Sequence, residues 1–447
     1  MNAENKMGTM PIGKLIIKMS APMMASMLFQ ALYNIVDSVF VSKLSQDALN
    51  AVSLAFPFQT FAIALATGTG VGMGALLSRS LGSGDKDGVN SIAGTGMFLY
   101  LLTMIAFSVL GFTLARPFYT FQTNNETIVE YGTQYITVCI GFCFALYGQI
   151  CGERLLQSTG RTDLAMIPQI AGAVFNMVFD PILIFGLCGF PRLEVMGAAV
   201  ATVCGQVLAT VLCIILNLKK NKEIHFSFKL IRPRKTIIKD IYKIGMASII
   251  LQATGSLLNF ILNGILISFT EAATAVFGAY YKIQSIIFMP VLGMNNAMIP
   301  IISYNYGACR TERVKRTVKI CIYIAVGIMS IGTVAFESIP ELLLGIFSPS
   351  EEMIEIGRLA FRTIGIHFPI AGFCIVSVSV CQALGKPMYS LGISVTRQLL
   401  GLLPIAWLLS LTGNVNAVWW AFPLAEVLSA IMSAFFMKKV FKHLTAF

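Results

Sequence analysis

Residues 218–244, "LKKNKEIHFSFKLIRPRKTIIKDIYKI", carry nine of the chain's 32 Lys and Arg residues and form its longest polar stretch. On either side the chain is strongly apolar. Of 447 residues, 56% are hydrophobic and only 12% charged, and the mean hydropathy is +0.77. A hydrocarbon core needs about 20 apolar residues per crossing helix. Spans of that length are predicted at 19–41, 51–77, 91–113, 131–151, 164–187 and 195–217, and after the polar stretch at 245–268, 274–300, 319–338, 359–381, 389–411 and 416–437. The expected fold is an all-α polytopic membrane protein of twelve transmembrane helices in two six-helix bundles. The expected organisation is a lobe over 1–217, a basic linker over 218–244 and a second lobe over 245–447. The N-terminus lacks a short apolar core followed by a small-residue cleavage site, so no cleavable signal peptide is expected.

The basic residues orient this topology. With both termini in the cytoplasm, 25 of the 32 Lys and Arg residues fall inside and three fall outside, which the positive-inside rule favours. The net charge of +11 therefore reflects membrane orientation, and nucleic acid is not an expected partner. Ten cysteines, lying mainly within apolar stretches as Cys139, Cys143, Cys204, Cys213 and Cys374 do, form no CxxC pair and read as reduced core residues.

The two halves repeat at a constant offset of 225: Asn34/Asn259, Gln59/Gln284, Ser78/Ser303, Gly132/Gly357, Gln157/Gln382 and Gly160/Gly385. After the last loop the offset shortens by five, laying "GAAVATVCGQVL" (197–208) over "AVWWAFPLAEVL" (417–428). Each half has an even number of spans, so the repeats are parallel and pseudo-symmetric about an axis along the membrane normal.

Few acids fall inside the spans away from their ends: Asp37 in span 1, Asp180 in span 5 and Glu426 in span 12. An intramembrane carboxylate is costly and faces a cavity or a partner by default. Tyr33 and Asn34 share a helix face with Asp37, and Gln30 lies further back on the same stripe. Asn176 stacks one turn before Asp180, and Pro181 tends to kink the helix and leave carbonyls free. Such a set can hold a hard monovalent cation, or its two carboxylates can share a proton; the residues leave both open. Glu426 is a candidate for a cationic substrate or for a helix-packing hydrogen bond. Lys282 could snorkel outward, and His367 reads as a polar packing residue. Gly68, Gly70, Gly72 and Gly74 read as close helix packing, since no strand precedes them and no Lys-Ser/Thr follows.

The stretches "MSAPMMASMLFQALYNIVDSVFVSKLSQDALNAVSLAFP" (19–57), "GTGVGMGALLSRSLGSGD" (68–85), "LLQSTGRTDLAMIPQIAGAVFNMVFDPILIF" (155–185), "GAAVATVCGQ" (197–206) and "ALGKPMYS" (383–390) resemble the multidrug and toxic compound extrusion (MATE) family of antiporters. "ISYNYGACRTERVKR" (302–316) is most similar to the branch called MepA-like. The resemblance implies export of amphipathic, often cationic compounds in exchange for Na⁺ or H⁺, with no cofactor beyond that coupling ion. Residue by residue it implies that Asp37, Asn176, Asp180 and Thr202 form an N-lobe cation site, a possible Na⁺ site, with Gln30 and Tyr33 lining its cavity. Another branch of the family places cation-binding acids in spans 7 and 10, where this chain has none. The expected protein is a monomeric multi-pass transporter of a bacterial-type cytoplasmic membrane, in contact with lipid. A lipid-linked precursor flippase is the alternative within transport. An integral-membrane transferase is the alternative from another class, although His225, His367 and His443 are isolated from one another.

Overall fold

The computed structural model describes residues 5–227, 230–347 and 349–444. The helices are α1 (Lys6–Thr9), α2 (Ile12–Ser42), α3 (Gln46–Gly82), α4 (Lys86–Gln122), α5 (Glu126–Gly141), α6 (Phe144–Ser158), α7 (Thr162–Phe185), α8 (Glu194–Lys220) and α9 (Lys235–Ile267). They continue as α10 (Glu271–Gly307), α11 (Thr311–Ser338), α12 (Pro340–Gly345), α13 (Glu351–Gly365), α14 (Phe368–Ala383) and α15 (Pro387–Val395). After a π-helical segment (Thr396–Leu402) come α16 (Leu403–Ser410), α17 (Val415–Val418) and α18 (Ala421–Leu444). Among the described residues ten helical segments are long and apolar enough to cross a membrane; the pairs α5–α6 and α13–α14, bent by 41° and 49°, each supply one more, giving twelve spans. Spans 4 and 10, expected as single helices, are thus broken, and span 11 contains the π segment.

The repeat is visible in the elements themselves. α3 and α10 begin and end at positions 225 residues apart. Their caps match: Ser45 Oγ accepts from the Ala48 amide at 3.0 Å, and Thr270 Oγ1 from that of Ala273 at 3.2 Å. Buried Ser78 donates to the Ser158 carbonyl at 2.8 Å, and its counterpart Ser303 donates to the Ala383 carbonyl at 2.9 Å. A hydroxyl in an apolar helix interior requires such a partner, so both halves of the chain preserve donor and acceptor together.

The chain divides into two compact units. One comprises Ala21–Ile249; the other combines the residues up to Ser20 with those from Ile250 onward. This differs from the boundaries 1–217, 218–244 and 245–447 expected from composition. The basic stretch is no free-standing linker: Thr95 Oγ1 donates to the Arg232 carbonyl at 3.2 Å, and Asn90 Oδ1 accepts from the His225 amide at 2.9 Å. The first turns of α9 lie along α3, where a Cβ on Gly72 would meet the Ile241 carbonyl oxygen at 2.1 Å and one on Gly68 the Gly245 carbonyl oxygen at 2.8 Å. In the other unit, Asn305 Nδ2 donates to the Met7 carbonyl at 3.0 Å, and Arg313 Nη2 to the carbonyls of Met7 and Met10 at 3.0 and 2.8 Å. Composition marks where the chain is polar; these backbone contacts determine which unit the polar segments join.

In the Ala21–Ile249 unit, three buried tyrosines fasten α4 and α6 to α3. Tyr119, Tyr147 and Tyr100 donate to the carbonyls of Ala51, Ala62 and Ala66 at 2.6, 3.1 and 2.8 Å. Each phenol fills core volume and satisfies its hydroxyl inside the bundle.

Gly72→Val places branched carbons on the Ile241 carbonyl and is expected to destabilise the protein by roughly 2 kcal/mol or more. Gly13→Ala, where an added Cβ meets nothing within 4 Å, serves as the control. Thermal melts of both variants in detergent check this: a Gly72→Val transition equal to that of the parent contradicts the packing described.

Candidate functional site

The site is assembled on α7 and α8. Gly172 and Gly205 face each other so closely that a Cβ on Gly172 would stand 2.9 Å from the Gly205 carbonyl oxygen, and one on Gly205 2.7 Å from that of Gly172. Toward the other end of α7, Gly197 of α8 meets Leu183, whose carbonyl oxygen would be 2.6 Å from an added Cβ. Small residues at both crossings let the two backbones run together. Between them, Asn176 and Asp180 follow Gly172 at successive turns of one buried face, 3% and 0% exposed. Asn176 Nδ2 donates to Thr202 Oγ1 at 3.0 Å.

Asp37 reaches the same place from α2. Its carboxyl group and that of Asp180 interact directly. Both Asp180 carboxylate oxygens, Asp37 Oδ1 and Asn176 Oδ1 are buried without a hydrogen-bond partner among the described residues. Four oxygens from three side chains are therefore left unsatisfied at one spot, where each buried unsatisfied group costs about 1–3 kcal/mol. Two facing carboxylates relieve their repulsion by sharing a proton or by holding a cation.

Tyr33, one turn before Asp37, lies beside Thr202, Asp37 and Asp180. Gln30 Oε1 accepts a long contact from Gln169 Nε2 at 3.4 Å, whereas Asn34 is exposed. Pro181 does not break the helix; α7 runs unbroken from Thr162 to Phe185. Its missing N–H still leaves the Met177 carbonyl without the usual partner.

Sequence reasoning missed the α5 contribution. Tyr135 and Cys139, one turn apart and buried at 5% and 6% exposure, stand beside Asp37, and Tyr135 also contacts Gln59 of α3. The i, i+4 pairing of a tyrosine and a thiol in an apolar span was the available signal, but neither residue carries charge. Cys139 is a free thiol, as the sequence suggested, and it belongs to the site wall.

Glu426 belongs to the other unit and has its own partner: Arg397 forms an ion pair with it, Nε to Oε2 at 2.8 Å. Lys282 is exposed with its ammonium 5.8 Å from the centre of the Phe347 ring. His367, 2% exposed at the break between α13 and α14, turns Nδ1 to the Ile364 carbonyl and packs against Phe368 and Phe422.

A duplicated set of twelve candidate spans with buried carboxylates on two of them is the architecture of a membrane transporter. The profile of the MatE family matches residues 22–182 and again 247–408, two segments in the register of the internal repeat. The chain belongs to that family. It is 25% identical to a protein named FAD transporter from Shewanella oneidensis, over 96% of this chain and 95% of the relative. It is 24% identical to multidrug export protein MepA of Staphylococcus haemolyticus, over 97% and 95%. Among solved structures it superposes on the outward-facing conformation of a multidrug resistance MATE family transporter with a TM-score of 0.94 at 25% identity, covering 100% of this chain and 99% of that one. A MATE protein in complex with MaL6 gives 0.94 at 26% identity with full coverage of both chains.

Thr202→Val keeps the shape but removes the acceptor of Asn176 Nδ2. We expect destabilisation of about 1–3 kcal/mol, with Thr202→Ser close to the parent. Thermal unfolding in detergent measures both; equal loss in the two variants contradicts a role for the hydroxyl.

Proposed function

We propose that this protein is a cation-coupled antiporter that exports amphipathic, cationic organic compounds, with Asp37, Asp180, Asn176 and Thr202 as the coupling-ion site. The observation that carries the reading is the pair of neighbouring carboxylates, Asp37 on α2 and Asp180 on α7, with buried oxygens that have no hydrogen-bond partner among the described residues. When H⁺ or Na⁺ enters, it halves the negative charge of the pair, bridges the two carboxyl groups and favours the arrangement in which α2 closes on α7. When it leaves, the two carboxylates repel and favour their separation. Export requires that cargo prefer the second arrangement and the ion the first, because a ligand with equal affinity for both shifts nothing. Tyr33 and Gln30 line the approach to the pair, and Tyr135 and Cys139 form its wall.

The similarity to the MepA export proteins along nearly the whole chain supports a multidrug cargo. The similarity to the FAD transporter over a comparable length supports a second reading, an anionic flavin-type cargo carried by the same coupling. The distribution of Lys and Arg supports residence in a bacterial-type cytoplasmic membrane with both termini cytoplasmic. A single chain holds all the proposed ion ligands, which fits a monomer.

The test is transport in proteoliposomes under separately imposed Na⁺ and H⁺ gradients, with a cationic dye and with FAD as alternative cargoes. The parent protein is expected to move one cargo under at least one gradient. Asp37→Asn and Asp180→Asn are each expected to lose tenfold or more of the gradient-driven rate, about 1.4 kcal/mol in coupling. Normal gradient-driven transport by both variants rejects the site.

A further inference from the structure

The second unit holds a buried charge pair that the coupling reading does not use. Arg397 lies in the π-helical segment Thr396–Leu402, and Glu426 on α18. Both fall near the middle of their spans, Pro387–Ser410 and Val415–Lys442. π-helical turns occur in short pieces, often at functional sites. By the repeat, Arg397 stands where the first half has Gly172, Gly401 where it has Asn176, and Glu426 where it has Gln206. The close helix crossing survives one turn along: a Cβ on Gly401 would be 3.1 Å from Ala425 Cβ. The second half has thus replaced the glycine of the α7–α8 crossing with an arginine, and the segment is wound more loosely where that side chain departs.

The pair is not closed on itself. The ion pair brings Arg397 Nε to 2.8 Å from Glu426 Oε2. Its guanidinium side chain is 24% exposed while that of Glu426 is 3% exposed. The terminal Nη donors make no hydrogen bond among the described residues, and Glu426 Oε1 is buried without a partner. A structural Arg–carboxylate pair usually meets fork to fork through two parallel bonds. No such pair of bonds forms here, which leaves the edge that recognises carboxylate or phosphate without a hydrogen-bond partner among the described residues on a side chain that is partly exposed. Around the pair are Tyr280, whose buried hydroxyl has no partner, and Phe422, one turn before Glu426, with ring centroids 5.6 Å apart.

We propose that the second unit contains its own ligand site, in which the free Nη edge of Arg397 takes the anionic group of an amphipathic solute beside the aromatic rings of Tyr280 and Phe422, with Glu426 as the displaceable internal counter-ion. The site goes beyond the coupling pair and rests on the reading of the protein as a transporter of amphipathic solutes. It discriminates by charge: a solute bearing a carboxylate satisfies the Nη donors, whereas its neutral ester leaves them unpaired. Glu426 keeps the guanidinium neutralised when no solute is bound, which lowers the cost of holding a cation at membrane depth.

Equilibrium binding to the intact detergent-purified protein tests this without any gradient, so its outcome is separate from that of the flux assay. The probes are rhodamine B, which carries a free carboxylate, and its ethyl ester, followed by fluorescence polarisation. The parent is expected to bind the acid more tightly than the ester. Arg397→Gln is expected to weaken the acid about tenfold or more and to leave the ester within about twofold. Glu426→Gln, which removes the competing charge and keeps an acceptor for Nε, is expected to tighten the acid several-fold. Should Arg397→Gln alone fail to fold, the double variant Arg397→Gln/Glu426→Gln, with no buried charge left, must lose the preference for the acid. Absence of that preference in the parent, equal effects of Arg397→Gln on both dyes, or a double variant that keeps the preference each overturns the assignment.

Discussion

Hydrocarbon supplies no hydrogen bonds, and everything in this protein follows from that. The backbone satisfies itself by forming helices, and each intramembrane polar side chain must find a partner inside a bundle or await a ligand. Tyr119, Tyr147 and Tyr100 spend their hydroxyls on carbonyls of α3, and Ser78 and Ser303 spend theirs on carbonyls of α6 and α14. Other buried polar atoms also lack a partner among the described residues, but at Asp37, Asp180 and Asn176 four such oxygens gather in one place, and three of them belong to carboxylates.

The two halves share a scaffold and differ in what it presents. Helix starts, caps and the Ser78/Ser303 bonds keep the 225-residue register. The functional positions do not: Asp37 corresponds to Leu262, which is 0% exposed, and Asp180 to Ile405. Conversely, Gly172 corresponds to Arg397, and the crossing that in the first half aligns Asn176 with Thr202 becomes in the second a π-helical turn with an arginine fork. Duplication supplies the packing frame, and single side chains at its crossings decide which polar groups each half presents.

Much of this is legible in the sequence because lipid as a solvent imposes long apolar runs and makes every charge within them conspicuous. Twelve spans, the repeat and the pairing of Asp37 with Asp180 could be read that way. Tyr135 and Cys139 could not, since an uncharged side chain in an apolar helix looks the same whether it faces an ion site or a neighbouring helix. The breaks within spans 4 and 10 were also hidden, because hydropathy averages over a window and does not register a bend.

By itself the sequence determined the class of the protein, its duplicated architecture and which few acids lie within the spans, all consequences of composition and period. Only the tertiary structure decided that the basic stretch joins the first unit and the N-terminal residues the second, that Glu426 is held by Arg397, and that the Arg397 fork is left free. Those outcomes depend on which backbones can approach at Gly72, Gly172 and Gly401 and on where a side chain points when they do. Such distances are set jointly by residues far apart in the chain, and no local pattern encodes them.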